Sequence, residues 1–299
     1  MTYKIKELYS YINHKLSSVS DSSSIESDII MQSILKFSKA ELILNNNKIV
    51  SPTRVKKINT IVQGRIDHIP LEYLLCSKSF YNHEFFVGKG VLIPRPETEL
   101  LVDETLNIID SHISKKREFN ILEIGIGSGC IFCSIAFELT KRYSANNKFN
   151  FYLTDISPIA ISIAKKNLKA ILPKSRQYNT NFKFIKADIF PKTILPQFDI
   201  IVSNPPYIPT GELKTLSPEV KKEPQIALNG GKNGLAVYKK ILSVFKTQQK
   251  QNKTFFIFEI HSTKTDDLKE LVKEEMGVDI NIKVKKDLNS LDRIIIFQH

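Results

Sequence analysis

Ile121-Leu122-Glu123-Ile124-Gly125-Ile126-Gly127-Ser128-Gly129 decides the fold of this chain. An apolar run without turn formers predicts a strand, the glycines a turn, and the apolar segment from Cys130 a helix. Gly125 and Gly127 let the backbone turn tightly and approach a ligand, and Gly129 permits close helix packing. A dinucleotide site prefers G-x-G-x-x-G, with a pyrophosphate at the helix N-terminus. Here the sixth position is Cys130, so that pattern fails.

Downstream, strand and helix patterns alternate. Strands are predicted near 119–124, 149–155, 182–187, 198–203, 254–260, 280–285 and 292–298, and helices near 129–143, 157–171, 234–249 and 264–275. Such alternation implies an α/β fold, a parallel sheet with helices on both faces. Only Asp287–Leu291 separates the last two strands, so the sheet should end in an antiparallel hairpin.

The strand ends carry the chemistry. Asp155 closes the second strand, where an acid can accept hydrogen bonds from both ribose hydroxyls of a nucleoside. After the third, Asp188 is placed to accept from an adenine amino group and Ile189 to cover the ring. The bland alternative is that each acid caps the turn that follows it. The fourth strand, Phe198–Ser203, runs into Asn204-Pro205-Pro206-Tyr207. These four residues suit the presentation of a planar, neutral –NH₂ to an electrophile. The Asn204 side-chain oxygen accepts one hydrogen bond from it and the Pro205 carbonyl a second. Pro205 and Pro206 lack N–H donors and stiffen the segment, and Tyr207 offers a flat face to a planar substrate. A plain Pro-rich turn after a strand is the competing reading. All four features fall at carboxyl ends of parallel strands, where open α/β sheets bind ligands.

Upstream, Ile5, Leu8, Ile12 and Leu16 recur at helical spacing, as do Ile29, Ile30, Ile34 and Leu35. Ser51-Pro52 predicts a cap and first-turn proline of a helix through Gln63, and the Ser-rich stretch 17–24 a loop. Residues 1–75 thus read as a helical bundle. Phe80 to Ile93 reads as a hairpin with Gly88 and Gly90 as turn residues, so 76–95 is taken as a β-hairpin linker and 96–299 as the catalytic domain. Pro96 opens a helix through about Asp110.

The 299 residues include 42% hydrophobic and 25% charged residues, an ordinary globular balance. No apolar run reaches the roughly 18–20 residues of a membrane span, and the amino terminus has no signal-peptide core, so a cytoplasmic location is expected. The net charge of +12 gives weak support for an anionic partner, because the lysines are scattered. Cys130 and Cys133 form a C-x-x-C without a second pair or a nearby His, and read as small buried hydrophobes.

The ordered set of glycine turn, two acids and Asn-Pro-Pro-Tyr resembles the Rossmann-like class I S-adenosylmethionine-dependent methyltransferases. More specifically, the chain resembles the release factor glutamine methyltransferases (the PrmC/HemK family). The likeness runs from about Pro70 to the end through Leu92–Glu99 (LIPRPETE), Asn204–Pro209 (NPPYIP), Glu223–Leu228 (EPQIAL), Gly230-Gly231, Gly234-Leu235, Lys286–Leu288 and Asp292-Arg293. It implies that Gly125, Ile126, Gly127, Ser128, Gly129 and Asp155 hold S-adenosylmethionine, with Asn204 also near it, beside Asp188 and Ile189 as read above, and with no metal. It further implies that Asn204, Pro205, Pro206 and Tyr207 hold the glutamine of the Gly-Gly-Gln loop of a peptide chain release factor. The amino-terminal domain would help dock that protein. A monomer is expected, with no membrane and no need for direct nucleic-acid binding. The chain departs from the family at Cys76, where Gly is usual, at Ile189, where some relatives carry Trp, and at His261 and Lys264, where Gly and Gln are frequent. The rival enzyme reading is a DNA or RNA adenine amino methyltransferase, whose acceptor is also a planar –NH₂. A nucleoside-binding translation adaptor is the rival without catalysis.

Overall fold

A computed structural model describes residues 3–191, 196–248 and 253–299. The chain divides into two compact units, one of residues 1–77 with 217–222, the other of 78–216 with 223–299.

The helical unit contains α1 (Ile5–Leu16), α2 (Ser23–Leu35), α3 (Lys39–Leu44), α4 (Pro52–Ile66) and α5 (Leu71–Leu75). On α1 the predicted residues Ile5, Leu8, Ile12 and Leu16 are all buried, at spacings that place them on one helical face. On α2 the buried face is Ser27, Ile30, Met31 and Leu35, and Ile29, expected inside, stays 42% exposed. A capping box starts α3: Ser38 Oγ accepts from Glu41 N, and Glu41 Oε2 accepts from Ser38 N at 2.7 Å. Pro52 opens α4 behind Ser51, whose side chain makes no cap bond, and the helix runs on to Ile66, three residues beyond the expected end. Arg65 is 4% exposed, and its guanidinium donates to both carboxylate oxygens of Glu26 and to the Ile69 carbonyl.

The second unit opens on a hairpin, Lys78–Phe80 paired with His83–Phe85. Its turn is Tyr81-Asn82, with φ of 48° and 62°, and not the glycines at 88 and 90. Two successive positive φ values give the turn whose twist matches antiparallel strands; Asn accepts that region readily. The helix α6 (Glu99–His112) follows a short 3₁₀ turn at Pro96–Thr98.

Then come β1 (Glu118–Ile124), α7 (Cys130–Arg142), β2 (Lys148–Asp155), α8 (Pro158–Ile171), β3 (Thr180–Lys186), β4 (Ile200–Ser203), α9 (Ala236–Gln248), β5 (Phe255–Glu259), α10 (Thr265–Met276), β6 (Ile282–Lys286) and β7 (Asp292–Gln298). Residue 249, the expected end of α9, lies outside the described residues, as do residues 1 and 2 of the expected helical domain. The seven strands are ordered β6-β7-β5-β4-β1-β2-β3. The five from β5 to β3 are parallel, with Ile121 opposite Phe151 and Ile200, while β7 is antiparallel to both β5 and β6. The expected terminal hairpin is present, with a register shift at Lys285/Lys286.

Each face of the sheet is covered, which is why its strands read as near-continuous apolar runs. Ile121, Phe149, Phe151, Ile200 and Val202 pack with residues of α6, α7 and α8. Leu122, Ile124, Ile201, Phe256 and Phe258 pack with α9 and α10. Cys130 and Cys133 are buried, free thiols within the first of these clusters, and burial pushes Cys130 up to about 12. Each large side chain buried in these layers stabilises the sheet by about 1.5–3 kcal/mol. The cost of the arrangement is carried at the rim, where the strands end and polar groups must find partners.

Candidate active site

The carboxyl ends of β1, β2, β3 and β4 border a cleft of about 200 Å³, open to solvent. Gly125, Ile126, Gly127, Ser128, Asp155, Asp188, Ile189, Asn204, Pro205 and Pro206 line it, so the structure brings together ten of the twelve expected residues. Gly129 lies behind the wall. A Cβ there would stand 2.6 Å from the Phe132 ring and 3.0 Å from the Ala164 Cβ, so its bareness serves helix packing.

Gly125 and Gly127 have φ of 73° and 51°, and a Cβ added at either would meet nothing within 4 Å. The turn therefore presents bare backbone to open space, a cradle for a ligand. Three anchors hold its shape. Gly125 N and Ile126 N donate to the Thr154 carbonyl, Gly127 N donates to Asp155 Oδ2 at 2.9 Å, and Asn167 Nδ2 donates to the Ser128 carbonyl at 2.8 Å.

Asp155 does cap its turn: Oδ1 accepts from Ser157 N at 2.8 Å. Burial pushes its pKa up, and the backbone N–H donors of Ser157, Gly127 and Ile156 offset that. Three donors against about four carboxylate acceptor sites leave room for a ligand hydrogen bond, so capping and a ligand role are compatible. Asp188 is different. It stands at the exposed rim and forms an ion pair with Lys240 of α9. Ile189, 6% exposed, has φ of 76°, an uncommon conformation for a β-branched residue and one found where surroundings over-determine the backbone.

Asn204 Nδ2 donates to Thr98 Oγ1 at 3.2 Å, so the carboxamide oxygen is turned away from Thr98. Among the described residues no N–H donates to the Pro205 carbonyl. Tyr207 does not line the cleft. Its hydroxyl donates to Glu259 Oε1 at 3.3 Å and its ring lies 5.9 Å from that of His261. Burial and the neighbouring Glu259 push the Tyr207 phenol upward.

The segment after β4 is held by backbone. Ile208 N donates to the Leu228 carbonyl, Gly230 N to that of Ile208, and Thr210 N to that of Gly231. Gly230 is bare by necessity: a Cβ would lie 2.7 Å from the Pro206 oxygen and 2.8 Å from Tyr207 Cα. Buried Glu223 accepts from Ile93 N at 2.9 Å and pairs with the Arg95 guanidinium, fastening 92–99 to 223–228.

Thr98, Glu259, Arg95, Glu223 and Asn167 were missed as site residues. Glu259 had a signal, an acid ending the otherwise apolar strand Phe255–Ile257–Phe258 at the ligand rim. Asn167 had one too, as a polar residue on the apolar face of α8.

Comparison with known proteins identifies what the chain is similar to. Residues 99–247 match the methyltransferase small domain family, and 7–75 match the PrmC N-terminal domain. Release factor glutamine methyltransferase of Bacillus cereus is 32% identical over 272 residues, 90% of each chain. That of Dictyoglomus turgidum is 33% identical over 84% of this chain and 83% of its own. The hMettl16 catalytic domain, solved with a MAT2A 3′UTR hairpin, covers 84% of both chains at 15% identity with a TM-score of 0.51, a likeness of fold alone. On these grounds the chain belongs to the release factor glutamine methyltransferase family.

Proposed function

We propose that this protein transfers a methyl group from S-adenosylmethionine to the side-chain amide nitrogen of a glutamine in peptide chain release factors. The observation that carries the reading is Asn204 at the cleft wall with its oxygen turned from Thr98, next to the unpaired Pro205 carbonyl. Relatives that bear this activity in their names give the acceptor its class.

The bare Gly125–Gly127 backbone, Asp155, Ile189 and the cleft rim fit a nucleoside, with Asp155 toward the ribose. When bound, the donor supplies a sulfonium whose methyl group is strongly electrophilic. The protein's work is alignment. An amide nitrogen is a poor nucleophile because its lone pair is shared with the carbonyl. Asn204 Oδ1 and the Pro205 carbonyl accept its two N–H groups, aim the nitrogen and stabilise positive charge as it develops there. With the donor bound, transfer would form the N–C bond as the donor's S–C bond breaks, and the surplus amide proton would leave to water.

The test is mass spectrometry of release-factor peptides after incubation with the protein and labelled donor. The expected result is one methyl group on the glutamine of Gly-Gly-Gln, absent from a glutamine-to-alanine factor. Label in DNA or RNA, or in neither class, overturns the reading.

A further inference from the structure

We infer that Thr98 and Glu259 form a positioning relay that fixes which end of the Asn204 carboxamide faces the acceptor. This rests on the proposed role of Asn204 as an acceptor of amide N–H.

A carboxamide is nearly symmetric in shape but opposite in polarity at its two ends. Turned the wrong way, Asn204 would show an –NH₂ to the incoming –NH₂, two donors without an acceptor between them. Something beyond packing must choose the orientation. Asn204 Nδ2 lies 3.2 Å from Thr98 Oγ1, and Thr98 Oγ1 lies 2.7 Å from Glu259 Oε2. Thr98 and Glu259 are 2% and 1% exposed, so water does not compete. A hydroxyl has one proton. A carboxylate can only accept, so Thr98 must donate that proton to Glu259, and its oxygen is left to accept from Asn204. The chain of bonds then has one direction, and only the Asn204 –NH₂ satisfies its end.

Two further observations assign Thr98 to this task. It stands at the start of α6, where threonine hydroxyls commonly cap, yet it has helical φ and makes no cap bond. Glu259 is itself held, since its other oxygen accepts from Tyr207 and its carbonyl accepts from the Tyr238 hydroxyl at 2.6 Å.

Direction depends on charge. Burial pushes the Glu259 carboxyl up to about 7; hydrogen bonds from Thr98 and Tyr207 and the charge of Arg293 oppose the rise, and Glu97 adds to it. Once protonated, Glu259 can donate to Thr98, whose proton is then free to point at Asn204, and the polarity can reverse.

Thr98→Val keeps the shape and removes the hydroxyl, whereas Thr98→Ser keeps the hydroxyl and loses packing. Expected is a fall in kcat of about tenfold or more for Thr98→Val with the donor KM unchanged, Thr98→Ser recovering to within about threefold of wild type. Packing alone would rank the two variants the other way. A Thr98→Val enzyme with wild-type kcat, or a Thr98→Ser enzyme no better than it, overturns the relay. The kcat of the wild type should rise with pH through an inflection near 7 that Glu259→Gln lacks; the same inflection in Glu259→Gln removes Glu259 from the relay. A third readout needs no turnover: the side-chain amide NMR signals of Asn204, assigned by their loss in Asn204→Ala. They should move in Thr98→Val and hold in Thr98→Ser, and signals unmoved in both overturn the proposal. A wild type that leaves release factors unmodified would instead overturn the proposed substrate, with the NMR result still deciding the relay.

Discussion

Asn204 is asked for one interaction that matters in the transition state, and little for holding the donor. Asn204→Ala should therefore leave donor affinity within a few-fold by calorimetry and lower kcat by about 10²–10³ or more, the cost of one preorganised charge-stabilising group. Retained turnover would sink its role. At Glu259 the same burial that serves the relay works against stability. Its carboxyl is displaced from 4.5 to about 7, so between those values the native state keeps a proton that the unfolded chain loses. The stabilisation this gives is full below 4.5 and is lost as pH rises through about 7. Urea denaturation of Glu259→Gln against wild type should show the variant gaining, between pH 4.5 and about 8, on the order of 3 kcal/mol. A pH-independent difference contradicts a buried, displaced carboxyl. Cys76 tells a third story at this scale. Its φ of 56° is left-handed, a conformation that glycine adopts without strain, which is a physical reason for the glycine that the family resemblance implies there. Cys76→Gly should raise stability by about 0.5–1 kcal/mol in denaturant titrations, strain relief outweighing the freer unfolded chain. The position was legible in the sequence as a departure; the reason for it needed a dihedral angle.

Elements were legible where periodicity was strong. Strands covered on both faces gave apolar runs, and each predicted strand of the large sheet has its counterpart. The hairpin at 78–85 was misread because glycines drew the turn to 88 and 90, while Tyr81-Asn82 took the positive φ. The pairing of the three marker segments was not legible at all, since nothing local tells that Glu223 reaches Ile93 N and Arg95, or that Gly230 lies against Pro206. Those contacts explain why LIPRPETE, NPPY and the Glu-Pro segment occur together: they are one braced wall. Gly230→Ala tests the brace. Its methyl group would press on backbone, which cannot swing aside, so the 204–208 segment must shift. Expected is a loss of about 1–3 kcal/mol of stability together with a fall in kcat at saturating donor. Wild-type turnover in a folded Gly230→Ala protein would show that the brace does not position Asn204.

For the whole molecule, the division into two units bears on where the cleft lies. Every residue lining the cleft falls in the sheet-bearing unit, and among the described residues the helical unit contributes none. No described helix is long and apolar enough to cross a membrane. A glutamine side chain is small, and the hydrogen bonds offered by Asn204 and Pro205 are open to any primary amide. Discrimination must then come from binding energy gathered away from the reacting atoms, which an enzyme can spend on orientation at the site. We propose that the helical unit supplies it, the docking role that the family resemblance implies. A short Gly-Gly-Gln peptide offers the same amide without the remote surface. Its kcat/KM should fall below that of an intact release factor by about 10² or more, because remote contacts of even modest strength sum to several kcal/mol. The donor KM should be the same with either acceptor, since both meet the same Gly125–Gly127 turn and Asp155. Asn204→Ala should silence both substrates alike, which separates loss of docking from loss of chemistry. If peptide and intact factor are methylated with equal kcat/KM, the acceptor is recognised at the cleft alone and the helical unit has another purpose.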